Sequence, residues 1–375
     1  MKTIIYLMLM MSLFFSACHK VSAVDIEKST DFNNVDLESV DSDTTSDFSV
    51  DSGIGITSLK DTANIIVWAE EETGIECSQP VPVESCDGYW CSVEPGCFRY
   101  GSDQSEPCRA NASEDQVFVT LTHPFVIGKT EVTQRQWKSA GFKNPMEVKG
   151  MEALLGDNLP IANINWYEAA AYCNAISEKE GYEKCYDLSE CTGGEVGQGC
   201  PASIEFCETG FTCNPDIFKL SDVYACKGYR LSTAAEFEYA TRAGTATSTY
   251  NGNLLSDDKI DCSPDEVLNE IAQICSNGKL TSPVAQKKKN SLGLFDMLGN
   301  LREMTGDSFR NTPLGGDSIV IEDPYGYPGA SGGRGVLKGG SWQLDACFCR
   351  SGYSYADSRE IGIINTGFRP VRTLF

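Results

Sequence analysis

Near its C-terminus the chain reads GGSWQLDACFCR at residues 339–350, followed by GFR at residues 367–369. The Gly-Gly-Ser-Trp run indicates a turn. Cys347 and Cys349 stand two residues apart, and in a β-strand their side chains would point to the same face. Leu344, five residues before Cys349, has no donor atom for a metal and no thiol for exchange. The positions of Cys347, Cys349 and Leu344 therefore determine whether this stretch could bind a metal or exchange disulfides.

Two helices are predicted upstream of this stretch. Asn165 can cap a helix over Trp166–Glu178, whose apolar residues recur on one face. Thr233 and Glu236 form a T-x-x-E capping box, and Gly244 supplies the stop of a second helix. Further upstream, residues 117–122 alternate in the manner of a β-strand.

Several segments, taken in chain order, resemble the formylglycine-generating enzyme (sulfatase-modifying factor) family. They are residues 95–102, 125–134, the helix after Asn165, residues 228–240, 292–305 and 339–350, with the final GFR. The resemblance covers residues 88–375. It implies a mixed α+β, C-type-lectin-like fold with short strands, short helices and much irregular structure.

The family's reaction uses two cysteines and copper(I) to oxidise a cysteine of a client protein. By position, the second cysteine is Cys349, but Leu344 replaces the first. Copper(I) is soft and binds thiolates strongly, so a single thiolate would hold it weakly. Cys347 is the alternative second sulfur, although a C-x-C pair is more often two separate disulfide partners. Ser341 and Trp342 match pocket positions of the family and also occur in inactive relatives.

A structural calcium ion is also implied by the resemblance, through the segment at residues 292–305. Carried over by position, its ligands would be Asp296, Gly299, Leu301 and Glu303. Calcium prefers such hard oxygen ligands from carboxylates and backbone carbonyls. The alternative is a capped turn with solvated acids, and Arg302 and Met304 depart from the usual pattern. A second family calcium site would fall within residues 251–265, where no ligands can be assigned.

The first 18 residues are typical of a secretory signal, with Lys2 followed by an apolar run too short to span a membrane. Phe15-Ser16-Ala17-Cys18 resembles a bacterial lipobox, which implies lipidation at Cys18 and attachment to the cell envelope, with the outer membrane expected. The alternative is an ordinary cleaved signal in which Cys18 has no role. Residues 19–75 are predicted to be an acidic, disordered tether, since Val24 to Asp51 contains nine acidic residues and one lysine. The folded domain is then predicted over residues 76–375.

The 17 cysteines indicate disulfides formed outside the cytoplasm. Clustered zinc sites are the competing interpretation, but the chain contains only two histidines and no repeated C-x-x-C pattern. The stretch 185–226 is rich in cysteine and lacks helical spacing, which predicts a loop held by disulfides.

Composition and motifs first narrow the classes of function that the chain could have. The formal charge of −23 argues against nucleic acid and anionic lipid surfaces as partners. An iron site built from several histidines is excluded by the histidine count, and no P-loop, G-x-S-x-G or H-E-x-x-H motif is present.

The favoured hypothesis is a non-catalytic, calcium-stabilised lipoprotein that binds a protein or another envelope component. The alternative is a copper-dependent formylglycine-generating oxidase that acts on exported proteins.

Overall fold

The computed structural model describes residues 65–69, 76–109, 114–147, 152–198, 210–213, 217, 222–255, 262–278, 280–309, 320–326 and 333–375. The predicted signal sequence, Cys18 and most of the predicted tether lie outside these residues. The helices are α1 (Gln134–Ser139), α2 (Trp166–Lys179), α3 (Ala234–Arg242) and α4 (Glu266–Asn269). Three short 3₁₀ helices cover Glu152–Leu154, Val223–Ala225 and Ala346–Phe348.

The strands of the described residues are short and numerous, which confirms the predicted α+β class. They are β1 (Ile65–Ala69), β2 (Glu76–Pro80), β3 (Cys86–Asp87), β4 (Trp90–Val93), β5 (Gly96–Tyr100), β6 (Val117–Leu121), β7 (Phe125–Gly128), β8 (Arg230–Leu231), β9 (Arg302–Ser308), β10 (Val320–Glu322), β11 (Arg334–Lys338), β12 (Tyr355–Ser358), β13 (Thr366–Gly367) and β14 (Pro370–Thr373).

Four sheets are formed by these strands, in the orders β1-β2, β10-β6-β5, β12-β11-β9-β13 and β3-β4-β7-β14-β8. Strand β1 lies within the stretch that the sequence analysis assigned to the disordered tether, so that part of the prediction was wrong. Its backbone pairs with β2 in antiparallel register, from Ile65 opposite Pro80 to Ala69 opposite Glu76. Pairing with a distant strand gives order that the local composition does not reveal.

The predicted helix caps are present. The Asn165 side chain accepts from the Glu168 N–H, and the Asn165 N–H donates to the Glu168 carboxylate, which starts α2 as predicted. Thr233 and Glu236 form the same reciprocal pair at α3. At the end of α3, both Ala243 and the predicted stop residue Gly244 have positive φ, at 45° and 86°.

The core gathers around α2, α3 and the sheet faces that they cover. Trp166, Ala169, Ala170 and Cys173 of α2 are buried together, as their helical spacing predicted. A second cluster packs α3 residues such as Phe237 against the inner faces of the sheets. Among the described residues, no helix is long and apolar enough to cross a membrane.

Six disulfides join described cysteines: Cys77–Cys97, Cys86–Cys91, Cys108–Cys347, Cys185–Cys226, Cys191–Cys213 and Cys262–Cys275. This density is typical of an extracytoplasmic protein. Two bridges hold the described parts of the 185–226 loop, as predicted. Cys200 and Cys207 lie outside the described residues.

Candidate functional site

The 339–350 segment leaves strand β11 through a glycine turn. Gly339 and Gly340 both have positive φ, at 85° and 73°. A Cβ atom added to Gly340 would lie 2.3 Å from the Cys349 Sγ, so a side chain there would displace the thiol. The Trp342 N–H then donates to the Asn300 carbonyl, which fastens the turn to the start of β9.

Beyond the turn the chain forms a 3₁₀ helix rather than a strand. Asp345 caps this helix by accepting from the Cys347 N–H at 3.1 Å. Cys347 and Cys349 therefore do not lie in a strand, and the same-face orientation expected for a strand is not formed. Cys347 is bonded to Cys108, so its sulfur is not available as the second thiolate that the sequence analysis considered. The sequence does not reveal this bridge, because Cys108 lies 239 residues from Cys347.

Cys349 is a free, fully buried thiol. It belongs to an apolar cluster that includes Leu268, Ile271 and Leu298, and half-buried Leu344 packs against the same cluster. Burial raises the pKa of Cys349 to about 12, because the apolar surroundings disfavour the thiolate. At neutral pH the thiol is therefore protonated, whereas copper and oxidants react with thiolates.

Leu344 is held in place by its backbone. Its N–H donates to the Ser341 carbonyl, and its carbonyl accepts from the Cys275 N–H, both at 3.0 Å. Cys275 is in turn joined to Cys262. The position expected to carry the first cysteine thus belongs to a fixed, disulfide-supported turn, and its side chain adds to an apolar cluster.

The two predicted pocket residues are buried beside this turn. Trp342 packs with Met146, Leu154 and Leu301. The Ser341 Oγ and the Trp342 Nε1 are both buried and have no hydrogen-bond partner in the described part of the chain. Such orphaned donors are costly in a protein interior, and water or a bound molecule commonly satisfies them.

A polar network that sequence reasoning missed borders the same turn. The Arg302 guanidinium donates to the Asn365 Oδ1 at 2.8 Å, and the Asn365 amide donates to the Gln343 Oε1. Arg302 also lies over the Tyr355 ring, 4.6 Å from its centroid. Burial lowers the pKa of Arg302. In the sequence, the one indication of this network is that Arg302 departs from the family pattern.

Arg350, the last residue of the segment, anchors a loop over it. Its guanidinium is buried and donates to Glu106, Glu114, Ser102 and the Cys108 carbonyl. Together with the Cys108–Cys347 bridge, these bonds attach the loop that follows β5 to the 3₁₀ helix. Cys349 is therefore covered by a segment that is held both covalently and by charge.

The implied calcium site contains buried acids. The Glu303 carboxylate accepts bidentate hydrogen bonds from the Arg369 guanidinium. The Asp296 Oδ2 accepts from the Ala285 N–H at 2.7 Å. Glu131, which sequence reasoning missed, lies near both. Its Oε1 accepts from the Leu301 N–H, while its Oε2 is buried without a partner in the described residues.

Charge and donor type in this cluster fit a hard cation. Burial raises the pKa of Glu131, Asp296 and Glu303, and mutual repulsion raises that of Glu131 further. Among the described residues, the one salt bridge to these acids joins Arg369 to Glu303. No group of three or more His, Cys, Asp or Glu side chains in the described part of the chain is arranged to hold a metal by itself. A cation here would depend on backbone carbonyls such as those of Gly299 and Leu301.

The second implied calcium region, residues 251–265, is only partly described. The Asn251 amide donates to the Val267 carbonyl, and Asp265 accepts from the Leu255 and Leu268 N–H groups. Both of these residues at the ends of the region therefore already have protein partners.

Comparisons with known proteins bear on the whole domain. The profile of the Sulfatase-modifying factor enzyme 1-like domain matches residues 77–374. A protein from Paenibacillus barcinonensis described as chaperone protein LppX is 34% identical over 49% of this chain and 62% of its own length. A formylglycine-generating enzyme from Streptomyces coelicolor is 32% identical over 38% of this chain and 46% of its own length. The chain thus spans less than two thirds of either relative.

Solved structures share the fold. Treponema denticola variable protein 1 superposes with a TM-score of 0.56 at 24% identity, covering 83% of this chain and 99% of that protein. PvdO from Pseudomonas aeruginosa gives 0.55 at 21% identity, covering 79% and 99%.

Proposed function

The chain belongs to the sulfatase-modifying factor enzyme 1-like family, and from that premise we propose that it is a non-catalytic binding module held outside the cytoplasm. Attachment through a lipid on Cys18 is part of the proposal. The partner class is an exported polypeptide. The 34% identity to a protein described as a chaperone supports this choice.

One observation carries the proposal: the site has a single free thiol, that of Cys349, and this thiol is buried. Leu344 stands in place of the first thiol, Cys347 is bridged to Cys108, and Cys349 is buried among apolar side chains. When bound in active relatives, copper would supply the oxygen chemistry. Here only one thiol, with a raised pKa, is present to bind it.

A copper(I) titration of the purified, disulfide-intact protein tests this. We expect no tight stoichiometric binding in competition with a chelator, and no oxygen-dependent conversion of a cysteine-containing peptide. The Leu344→Cys variant is the matched gain-of-sulfur control and is expected to bind copper(I) more tightly. Tight binding by the unaltered protein, lost in Cys349→Ser, together with peptide conversion, would favour the oxidase instead.

A structural calcium ion is also proposed, held by Asp296 and Glu303 with the Gly299 and Leu301 carbonyls. The excess of buried carboxylates over cations supports it. A ligand that binds only the folded state raises the melting temperature in proportion to the logarithm of its concentration. We expect calcium to raise the Tm of the protein and to raise that of Asp296→Asn less. An identical Tm in calcium and in chelator would contradict this.

A further inference from the structure

A cleft of about 410 Å³ lies on the outer face of the five-stranded sheet. No residue of the 339–350 segment lines it, so it is separate from the Cys349 site. Its volume falls within the range of about 300–1,000 Å³ that is usual for small-molecule sites. The side chains that line it indicate which class of molecule it fits.

The floor of the cleft is formed by side chains of the sheet. Strand register places Ser92 of β4 beside Val126 of β7, and Val126 beside Arg372 of β14. Asp87 of β3 lies beside Trp90 of β4 in the same way. The residues that alternate with these along β4 and β7 are buried in the core. The outer face of the sheet therefore presents aromatic, acidic, basic and hydroxyl side chains together.

One wall of the cleft is aromatic. Trp90 and Tyr229 both line it and stack on each other, with ring centroids 4.4 Å apart and planes 16° apart. The Arg372 guanidinium lies 4.3 Å from the Tyr182 ring centroid and hydrogen-bonds to the Tyr229 hydroxyl. Trp90 is half-buried, so part of its indole surface remains open to the cleft. The face of an aromatic ring carries partial negative charge and attracts the C–H groups on the apolar face of a sugar ring.

The polar groups around the floor carry both signs of charge. Glu84 and Asp87 are exposed acids at the rim. Glu84 pairs with Lys289, whereas Asp87 has no salt bridge within the described residues. Ser85 and Ser92 add hydroxyl groups, each of which can donate and accept. With the guanidinium on the far side, the cleft offers donors and acceptors without one dominant charge, which suits a neutral ligand rich in hydroxyl groups.

The spread of the charged groups favours an extended ligand. Asp87 on β3 and Arg372 on β14 are separated by β4 and β7, which is about 14 Å at the usual strand spacing of ~4.8 Å. A free amino acid carries its ammonium and carboxylate groups on one carbon, so it cannot reach both. A short oligosaccharide has hydroxyl groups along its whole length and an apolar face on each ring.

An extended peptide fits this surface less well. Peptides that bind to sheets pair mainly through their backbone, which requires a free strand edge. The floor strands β4, β7 and β14 are each paired on both sides. Recognition in this cleft therefore depends on side chains alone.

We propose that this cleft binds a neutral oligosaccharide. One sugar ring stacks on Trp90, while the hydroxyl groups accept from Arg372 and donate to Asp87. The net charge of −23 repels acidic polysaccharides, so a neutral chain is the form that fits. This site goes beyond the proposed function, because it adds a second class of ligand at a second place on the protein.

Saturation-transfer NMR and tryptophan fluorescence with the full protein test the site. The probes are three neutral tetrasaccharides, namely maltotetraose, cellotetraose and chitotetraose, and the neutral peptide acetyl-Ser-Val-Gly-Ser-Val-Gly-amide. We expect at least one saccharide to bind with a Kd below about 1 mM. Its affinity should not change with added salt, because the ligand carries no charge. Binding of the peptide but of no saccharide, no saccharide binding at millimolar concentration, or a large loss of affinity in high salt overturns the proposal.

Variants connect the binding to the cleft. Trp90→Ala is expected to abolish binding, whereas Trp90→Phe keeps an aromatic face and should retain part of it by NMR while losing the fluorescence change. Asp87→Asn, at an exposed position that does not threaten folding, should weaken binding about tenfold, the usual effect of losing one charge-assisted hydrogen bond. Asp157→Asn, at an exposed aspartate that pairs with Arg135, is the matched control and should leave the affinity unchanged.

Thermal unfolding of each variant confirms that it is folded before its affinity is compared. Saccharide binding that is unchanged in both Trp90→Phe and Asp87→Asn would place the ligand elsewhere on the protein and overturns the proposal. These results do not depend on the copper titration, because no residue of the cleft belongs to the 339–350 segment.

Discussion

Cys108 and Cys347 stand 239 positions apart and are joined by a disulfide. The bond ties the loop after β5 to the 3₁₀ helix that ends beside Cys349. Arg350 reinforces the same connection through Glu106 and Glu114. The one thiol left in the site is therefore covered by a segment far from it in sequence.

The long-range bridge is expected to stabilise the fold more than a short-range one. By loop-closure entropy, Cys108→Ala/Cys347→Ala should lose about 5 kcal/mol of unfolding free energy. Cys86→Ala/Cys91→Ala, whose loop spans five residues, should lose about 2 kcal/mol. Urea unfolding of both variants measures the difference. The reverse order would show that the bridge does not constrain the unfolded chain as described.

Cys349 is expected to be inert in the native protein. Because burial raises the pKa of Cys349 to about 12, very little thiolate exists at pH 8. Iodoacetamide should therefore label Cys349 only after denaturation, as mass spectrometry of the peptides will show. Cys173, the other free buried thiol of the described residues, is the internal comparison. Rapid native labelling of Cys349 alone would argue for an open, reactive site.

Stability should depend on pH through Asp307. This carboxyl group accepts from the Ala234 and Gly326 N–H groups, and burial raises its pKa from 3.8 to about 6. The folded state therefore binds the proton more tightly than the unfolded state, and stability falls as pH rises from about 4 to about 6. The loss is about 3 kcal/mol, at about 1.4 kcal/mol per pKa unit.

The Asp307→Asn variant isolates this effect. The difference in unfolding free energy between the unaltered protein and the variant should decline across that pH range and be constant above it. Chemical denaturation at several pH values measures it. A flat difference from pH 4 to pH 7 would mean that Asp307 titrates alike in both states.

Glu238 of α3 is expected to be far more sensitive to substitution than an exposed ionic position. It is fully buried and accepts from Lys338 at 3.0 Å, from Arg242 and from the Gly101 N–H. Glu238→Gln leaves two buried cations without their anion and should cost about 3–5 kcal/mol. Glu195→Gln, which removes an exposed pair with Lys143, should cost less than about 1 kcal/mol. Similar losses in the two variants would refute this ranking.

The elements that the sequence predicted correctly are those stabilised locally. The caps of α2 and α3 depend on pairs three residues apart, Asn165 with Glu168 and Thr233 with Glu236. Both partners of each pair lie within one short stretch of the sequence. Strand β1 was missed because its partner, β2, carries the ordering interaction and the preceding composition is acidic and polar.

The site was predicted less completely because its contacts are long-range. The absence of sulfur at Leu344 is visible in the sequence, but the bridge that removes Cys347 is not. Glu131 is read as part of a fold motif, and only the folded chain brings it near Asp296 and Glu303. The same holds for Arg302, whose partner Asn365 lies 63 residues further on.

The pairing of β1 with β2 has a mechanical consequence. Tension applied to the chain before Ile65 would act on one end of the hairpin, where Ile65 faces Pro80, and would open its hydrogen bonds one after another. The unzipping would then reach Cys77, where the covalent bond to Cys97 transfers the load to β5. The hydrogen bonds between β1 and β2 would thus open first, at low force, while the Cys77–Cys97 bridge keeps the rest of the domain folded.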